Sequence, residues 1–210
     1  MTIFERISEL LADTPRPCLY ELGACDGNET VTFSKMFPTS TIVVVEPVPD
    51  LCKIISNRHE LKGRIDLVKK AIGAENGKTT LHISGGNCEV TGQNFYASSS
   101  IKTPKFAEQV FKGMNFKEVK CEVVTLDTLW SERGCGIIDF IWADIQGAER
   151  EMIEGGKLAL KSTRYLFTEV GEGDYYEGEW KTKDILEALP YFELLEDFGT
   201  DILLKNKYFE

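Results

Sequence analysis

The chain reads as an α/β fold on a largely parallel sheet, and three features predict it. Thr41-Ile42-Val43-Val44-Val45 is a continuous β-branched run rather than an alternating one, the pattern of a strand covered on both faces. From Cys18 onward, strand-like and helix-like stretches follow one another as β-α-β-α-β, an order that favours parallel neighbours joined by right-handed crossovers. Between the first strand and its helix stand Gly23 and Gly27, where the backbone can take positive φ and a ligand can approach the main chain closely. With 210 residues, 42% of them hydrophobic, the chain can bury one full core, so a single domain over residues 1–210 is expected.

Thr2 to Ala12 places Ile3, Phe4, Ile7, Leu10 and Leu11 on one helical face, and Pro15 and Pro17 stop it, so residues 1–17 carry an N-terminal packing helix. Cys18 to Leu22 is the first strand. After the glycine turn, Asn28 or Thr30 is available to cap a helix that Pro38 ends. The Thr41 strand runs into Glu46-Pro47, Asp50 can cap a helix carrying Leu51, Ile54 and Ile55, and Ile65 to Val68 is a third strand. Thr79 to Ile83 alternates as an edge strand does. From Ser84 to Glu118 the pattern weakens, yet Phe95, Tyr96, Phe106, Phe111 and Phe116 make the stretch too aromatic for a disordered linker. Residues 84–118 are therefore expected to be a lid or substrate-loop insertion. Val119 to Thr125 is a strand and Leu126 to Trp130 a short helix. Ile137 to Ala143 is a buried strand ending at Asp144, and helical spacing from Ala148 to Ile153 is broken by Gly155-Gly156. Tyr165 to Val170 delivers Glu169 at its end, and Gly171 to Trp180 is a polar loop. A helix capped by Thr182 and an antiparallel hairpin, Tyr191 to Asp197 with Asp201 to Lys205, close the chain.

A net charge of −10 disfavours a nucleic-acid surface, because backbone phosphates are held mainly by Lys and Arg. The six cysteines form no CxxC pair and are expected as reduced thiols, and with only His59 and His82 as histidines no zinc site is expected. His82 reads as a structural strand residue and His59 as an exposed helix end. Met1 to Glu9 has no leader-like pattern, and no apolar run approaches the ~20 residues that span a bilayer, so a soluble, cytoplasmic protein with no membrane partner is expected. Oligomeric state is not encoded in any recognisable pattern.

In an open α/β sheet, ligands bind beyond the carboxyl ends of the strands. Here four strand ends carry acids at one rim: Glu21, Glu46, Asp144 and Glu169. A dinucleotide would set its pyrophosphate on the glycine turn, where Glu21 and Asp26 would repel it. The GxGxxG pattern also fails, since Cys25 stands where its second glycine is required. S-adenosylmethionine carries no phosphate, and its amino group and sulfonium are cationic, so acids beside the turn favour it. Glu46, roughly twenty residues beyond the turn, can accept both ribose hydroxyls, a device that NAD enzymes share.

With these pieces in hand, the chain resembles the FkbM-like family of S-adenosylmethionine-dependent O-methyltransferases. The resemblance is carried in order by Tyr20-Glu21-Leu22-Gly23-Ala24-Cys25-Asp26-Gly27-Asn28, Glu46-Pro47-Val48-Pro49, Lys70-Ala71-Ile72-Gly73, Ser98-Ser99-Ser100, Val124-Thr125-Leu126-Asp127 and Asp139 through Glu149. Trp142 stands where the family commonly has lysine, and Gln146 where it commonly has glutamate. The resemblance implies a class I, Rossmann-like methyltransferase fold: a seven-stranded, mostly parallel sheet with an antiparallel C-terminal strand and helices on both faces. It also implies methyl transfer to a hydroxyl, often on a sugar or glycosylated small molecule. By position, Glu21, Gly23, Ala24, Asp26, Gly27 and Asn28 would hold the methionine moiety. Glu46 would lie at the ribose, Pro47 would stiffen the loop over the adenine, Ala71 and Ile72 would lie at the adenine, and Asp144 beside the transferred methyl.

A sugar hydroxyl is a poor nucleophile, and a base within hydrogen-bond reach helps it. Asp144 is the first candidate and Glu169 the second, although Asp144 can equally hold the cofactor amino group or cap the next helix. Tyr96, Tyr175, Tyr176 and Trp180 can stack on a sugar ring or simply pack a lid, and Ser98, Ser99 and Ser100 can donate to substrate or cofactor or merely turn the chain. Asp127, Asp144 and Glu149 could meet around a divalent cation, but Glu149 belongs inside a helix and no metal is expected. An NAD-dependent oxidoreductase and a catalytically inactive cofactor-binding module are the competing readings.

Overall fold

The computed structural model describes residues 1–86, 97–105, 114–171 and 175–209. Cys88, Phe95, Tyr96, Phe106 and Phe111 lie outside the described residues. Among those described, the chain runs α1 (Ile3–Leu10), β1 (Cys18–Leu22), α2 (Asn28–Met36), β2 (Thr41–Val45), α3 (Pro49–Asn57), β3 (Ile65–Val68), β4 (Ala71–Ile72), β5 (Gly77–Gly86) and β6 (Met114–Val124). It continues through α4 (Leu126–Ser131), β7 (Ile138–Ala143), α5 (Glu149–Glu154), α6 (Lys157–Lys161), β8 (Thr163–Glu169), α7 (Thr182–Ala188), β9 (Phe192–Asp197) and β10 (Asp201–Asn206).

Seven strands form the main sheet in the order β3-β2-β1-β7-β8-β10-β9. The first five neighbours pair in parallel, and β10 is antiparallel to both β8 and β9. This is the class I methyltransferase arrangement that the family resemblance implies. Because side chains alternate across a strand, β2 feeds both faces. Val43 and Val45 join one core with Leu126, Met152, Ile153, Leu160 and Ile185 from the helices after β6. Ile42 and Val44 join the other, with Ile7, Val31, Phe33 and Ile55 from α1, α2 and α3. Trp142 lies on this second face, stacked on Phe4 at 5.6 Å and against Phe167 at 4.4 Å, so it pins α1 to the sheet.

The remaining three strands make a separate small sheet, β4-β6-β5. Here the sequence reading needs correcting. The edge strand continues past Ile83 to Gly86, and its partner starts at Met114 rather than Val119, with pairing from Gly77↔Val123 to Gly86↔Met114. Both ends of the expected 84–118 insertion are thus ladder residues. Ser84, Gly85 and Gly86 have weak strand propensity, and it is the cross-strand partner that holds them in the ladder.

Local ends differ in instructive ways. Thr2 and Glu5 form a capping box at α1. Helix α2 starts from Gly27, not from a side-chain cap, because the Thr30 hydroxyl turns inward to Glu21. Helix α3 starts after Val48 with Pro49 in its first turn, so Asp50 is not its cap. Helix α6 was not anticipated: the Asp127 carboxylate caps it from α4, accepting the Leu158 and Ala159 N–H groups, both at 2.8 Å. Cys18, Cys25, Cys52, Cys121 and Cys135 are free thiols. Among the described residues no helix is long and apolar enough to cross a membrane.

Candidate active site

The strand order reverses between β1 and β7, and at such a point the loops leaving two neighbouring strands part to form a crevice. Gly23, at φ +85°, sits in this crevice, and a Cβ there would run into the Asp144 carbonyl oxygen. Glycine is therefore required for the two loops to pass. The Gly23 and Ala24 N–H groups both donate to Val45 O, tying the turn to β2.

The crevice opens into a cleft walled by Leu51, Ala71, Ile72, Leu81, Ile101 and Ile145, with Gly23 and Pro47 at its edges. Among the described residues lining it, the ionisable side chains are Cys25, Glu46 and Asp144, and none is basic. Glu46, 3% exposed, accepts the Cys25 N–H at 2.8 Å and the Val48 N–H at 2.7 Å. Burial pushes its carboxyl up to about 7, against the pull of those two bonds. Its β2 terminus aims it at the cleft, with lone pairs left over.

The other turn residues are placed differently. Glu21 is buried beneath the turn, bonded to Thr30, and does not line the cleft; burial raises its carboxyl to about 8. Ala24 is buried in the α2 core. Asp26 and Asn28 are engaged by Arg58, which donates to Asp26 O at 2.6 Å and Asn28 Oδ1 at 2.8 Å. With Gly27 they stand outside the cleft wall.

Asp144 and Glu169 come together at the carboxyl ends of β7 and β8. Gln146 bridges them, its Nε2 donating to Asp144 Oδ1 at 2.6 Å and to Glu169 Oε2 at 2.8 Å. Desolvation raises both carboxyls, and the Asp144 charge raises Glu169 further. Asp144 still meets solvent along the open cleft, which limits its own rise. Glu149 is 2% exposed, and burial raises it to about 8.

Beyond Gln146 lies a second cavity of about 160 Å³, lined by Met114, Phe116, Glu169, Tyr175 and Tyr176 together with Ser98 and Pro104. Two loop segments close over it: Lys105 N–H donates to Tyr175 O at 2.8 Å and Glu177 N–H to Thr103 O at 3.0 Å. Ser99 and Ser100 face the first cleft instead, and Ser100 Oγ donates to Gln146 O at 2.7 Å. Trp180 lines neither cavity and packs on the core with Arg150 over its ring. His82 is held on β5, where its backbone pairs with Ser100, and the His59 side chain is exposed. Among the described residues no group of three His, Cys, Asp or Glu side chains could hold a metal ion. The sequence marks Ser98 as a possible donor but gives no site role to Phe116 or to Gln146; the signal available for Gln146 was its place between Asp144 and a turn glycine.

The methyltransferase FkbM domain family matches residues 21–200. The chain is 32% identical over 201 residues to the 2-O-methyltransferase NoeI of Sinorhizobium fredii (strain NBRC 101917 / NGR234), covering 93% of this chain and 82% of that protein. Among solved structures, its fold is similar to the N-terminal domain of EvdMO1 with SAH bound, with a TM-score of 0.50 at 12% identity, covering 98% of this chain and 81% of that one. An rRNA methylase from Streptococcus thermophilus gives a TM-score of 0.50 at 10% identity over 98% and 97% of the two chains. The glycine-turn crevice, the β1–β7 reversal and the antiparallel β10 thus stand in a chain that belongs to the FkbM methyltransferase family.

Proposed function

We propose that this protein transfers a methyl group from S-adenosylmethionine to a hydroxyl of a sugar or glycosylated small molecule, with Asp144 as the base and Glu169 as its partner. The observation that carries the proposal is the meeting of two cavities, one on each side of Gln146, at this carboxyl pair. S-adenosylmethionine supplies an electrophilic methyl group on a sulfonium. The first cleft suits it: Glu46 would take the ribose hydroxyls, Ala71 and Ile72 would flank the adenine, and Gly23 leaves the main chain open to the amino acid end. Among the described residues the wall carries acids and no basic side chain, which suits a cationic donor and not a pyrophosphate and speaks against the NAD-dependent reading.

The second cavity supports the sugar assignment. Its volume is of the order, about 150 Å³, that takes a six-membered ring. Tyr175, Tyr176 and Phe116 offer apolar faces to ring C–H groups, while Glu169 and Ser98 offer acceptors to hydroxyls. Residues 97–105 and 114–118 act with the 175–180 loop as the acceptor lid. Asp144 orients the acceptor hydroxyl and takes its proton, and the closed lid excludes water from the transfer. The relative NoeI is named a 2-O-methyltransferase, in keeping with a hydroxyl acceptor. A cytosolic location accords with the five free described thiols.

Calorimetry should show S-adenosylhomocysteine binding and no NAD binding. Mass spectrometry after incubation with a panel of free sugars and glycosides should show one added methyl, cut about 10²–10⁴-fold in Asp144→Asn while S-adenosylhomocysteine affinity stays within a few-fold. Methylation confined to aromatic hydroxyls would remove the carbohydrate reading.

A further inference from the structure

Three observations meet at Gln146. Its φ is +53°, a conformation that residues with a Cβ rarely adopt and that persists where the surroundings hold it. They do: Ser100 Oγ binds its carbonyl, and Tyr176 packs so closely on Gly147 that a Cβ there would lie 2.7 Å from the Tyr176 Cβ. Its carboxamide is bonded at both ends. The NH₂ serves Asp144 and Glu169, and Oε1 accepts from the Tyr176 hydroxyl at 3.0 Å, a hydroxyl that also faces Ser98 O at 2.9 Å. Two carboxyls at one end and a phenol donor at the other assign the amide orientation. Among the described residues, Gln146 alone lines both cavities.

We propose that Gln146 is a positioning residue for methyl transfer: its carboxamide clamps Asp144 and Glu169 as a pair sharing one proton, held by Glu169, so that a single ionised base stands where the two cavities meet. The inference rests on the reading of Asp144 as that base. The two carboxyls accept from one and the same amide nitrogen, and two carboxylates held that close would repel, so one proton between them relieves the pair. The asymmetry follows from the surroundings: the amide serves both carboxyls, but Asp144 is exposed to the cleft, whereas Glu169 is half-buried and has the Asp144 charge against it. Among the described residues, the titratable groups whose interaction with the pair is largest are Glu29 of α2, Glu46 after β2, Glu149 of α5, Asp201 of β10, Cys25 and Tyr176. Among the described residues, none of these groups is a cation. An amide adds two N–H donors to this acidic surrounding without adding charge, which a glutamate at position 146 would not do.

The test is a carboxyl ¹³C NMR titration of the full chain, wild type against Gln146→Met and Gln146→Glu. In the wild type the pair should titrate in two steps separated by more than about two pH units, with the upper step on Glu169. Gln146→Met removes the donors at nearly constant shape and should move the Asp144 step up by about one to two pH units. Gln146→Glu, which serves also if the methionine variant fails to fold, should bind one further proton between pH 5 and 9. Coincident steps in the wild type, or an unmoved Asp144 step in the variants, would overturn the proposal. A residue that merely fills space would lower the melting temperature and leave both steps in place. Absence of S-adenosylhomocysteine binding to the wild type by calorimetry is a separate outcome: it removes the proposed function and leaves the titration result standing.

Discussion

Glu46 and Glu21 are both glutamates at β-strand ends beside one turn, yet they do different work. Glu46 points into the cleft with lone pairs to spare, whereas Glu21 lies beneath the turn and is spent on Thr30. The carboxylate form of Glu46 is the better acceptor for ribose hydroxyls, and its titration lies near 7. S-adenosylhomocysteine affinity should therefore rise as pH rises from 6 to 8. In Glu46→Gln it should fall about 10-fold or more and lose that pH dependence, as calorimetry at several pH values would show. Residue type and chain position alone marked both acids as ligands. Which of them is buried depends on the pairing of β1 with β2 and on the direction of the Thr30 side chain.

Among the elements, α1 shows how a helix with little intrinsic reason to stay becomes fixed. It has eight residues, too few to be stable alone, and a capping box contributes only about 1 kcal/mol. Its docking is carried by Ile7 in the core and by Phe4 on Trp142. Trp142→Ala is expected to cost about 3–5 kcal/mol and to raise hydrogen exchange in α1 first, read by denaturant unfolding and exchange mass spectrometry. An unchanged unfolding midpoint would show that the aromatic stack is dispensable. Strands β1 and β2 were legible to the residue, because continuous apolar runs bounded by Pro and Gly leave little freedom. Strand β5 beyond Ile83 and the start of β6 were not, since each is extended through its partner rather than through its own propensity.

Over the whole molecule, the buried acids set how stability depends on pH. Glu21, Glu46 and Glu149 titrate at about 8, 7 and 8, all above their unfolded values, and Glu169 is raised too. A carboxyl with a raised folded pKa contributes its full stability below the unfolded value, near 4.5, and loses it as pH climbs through the folded value. From these groups the melting temperature should thus be highest near pH 4.5 and fall from there towards pH 8–9. Glu21→Gln, which can keep an acceptor for Thr30 without the buried charge, should flatten that fall; thermal melts of both proteins across this range check it, and a curve rising towards pH 9 would contradict the assignment. The sequence by itself determined the α/β class, the order of the strands, the glycine turn and the acids of the rim, because these rest on local patterning and on a motif order within one stretch of chain. Only the tertiary structure decided which acids share a site: Asp144, Gln146, Glu169 and Tyr176 come from three separate stretches of chain, and what unites them is the packing of β7 beside β8 under a folded-back loop.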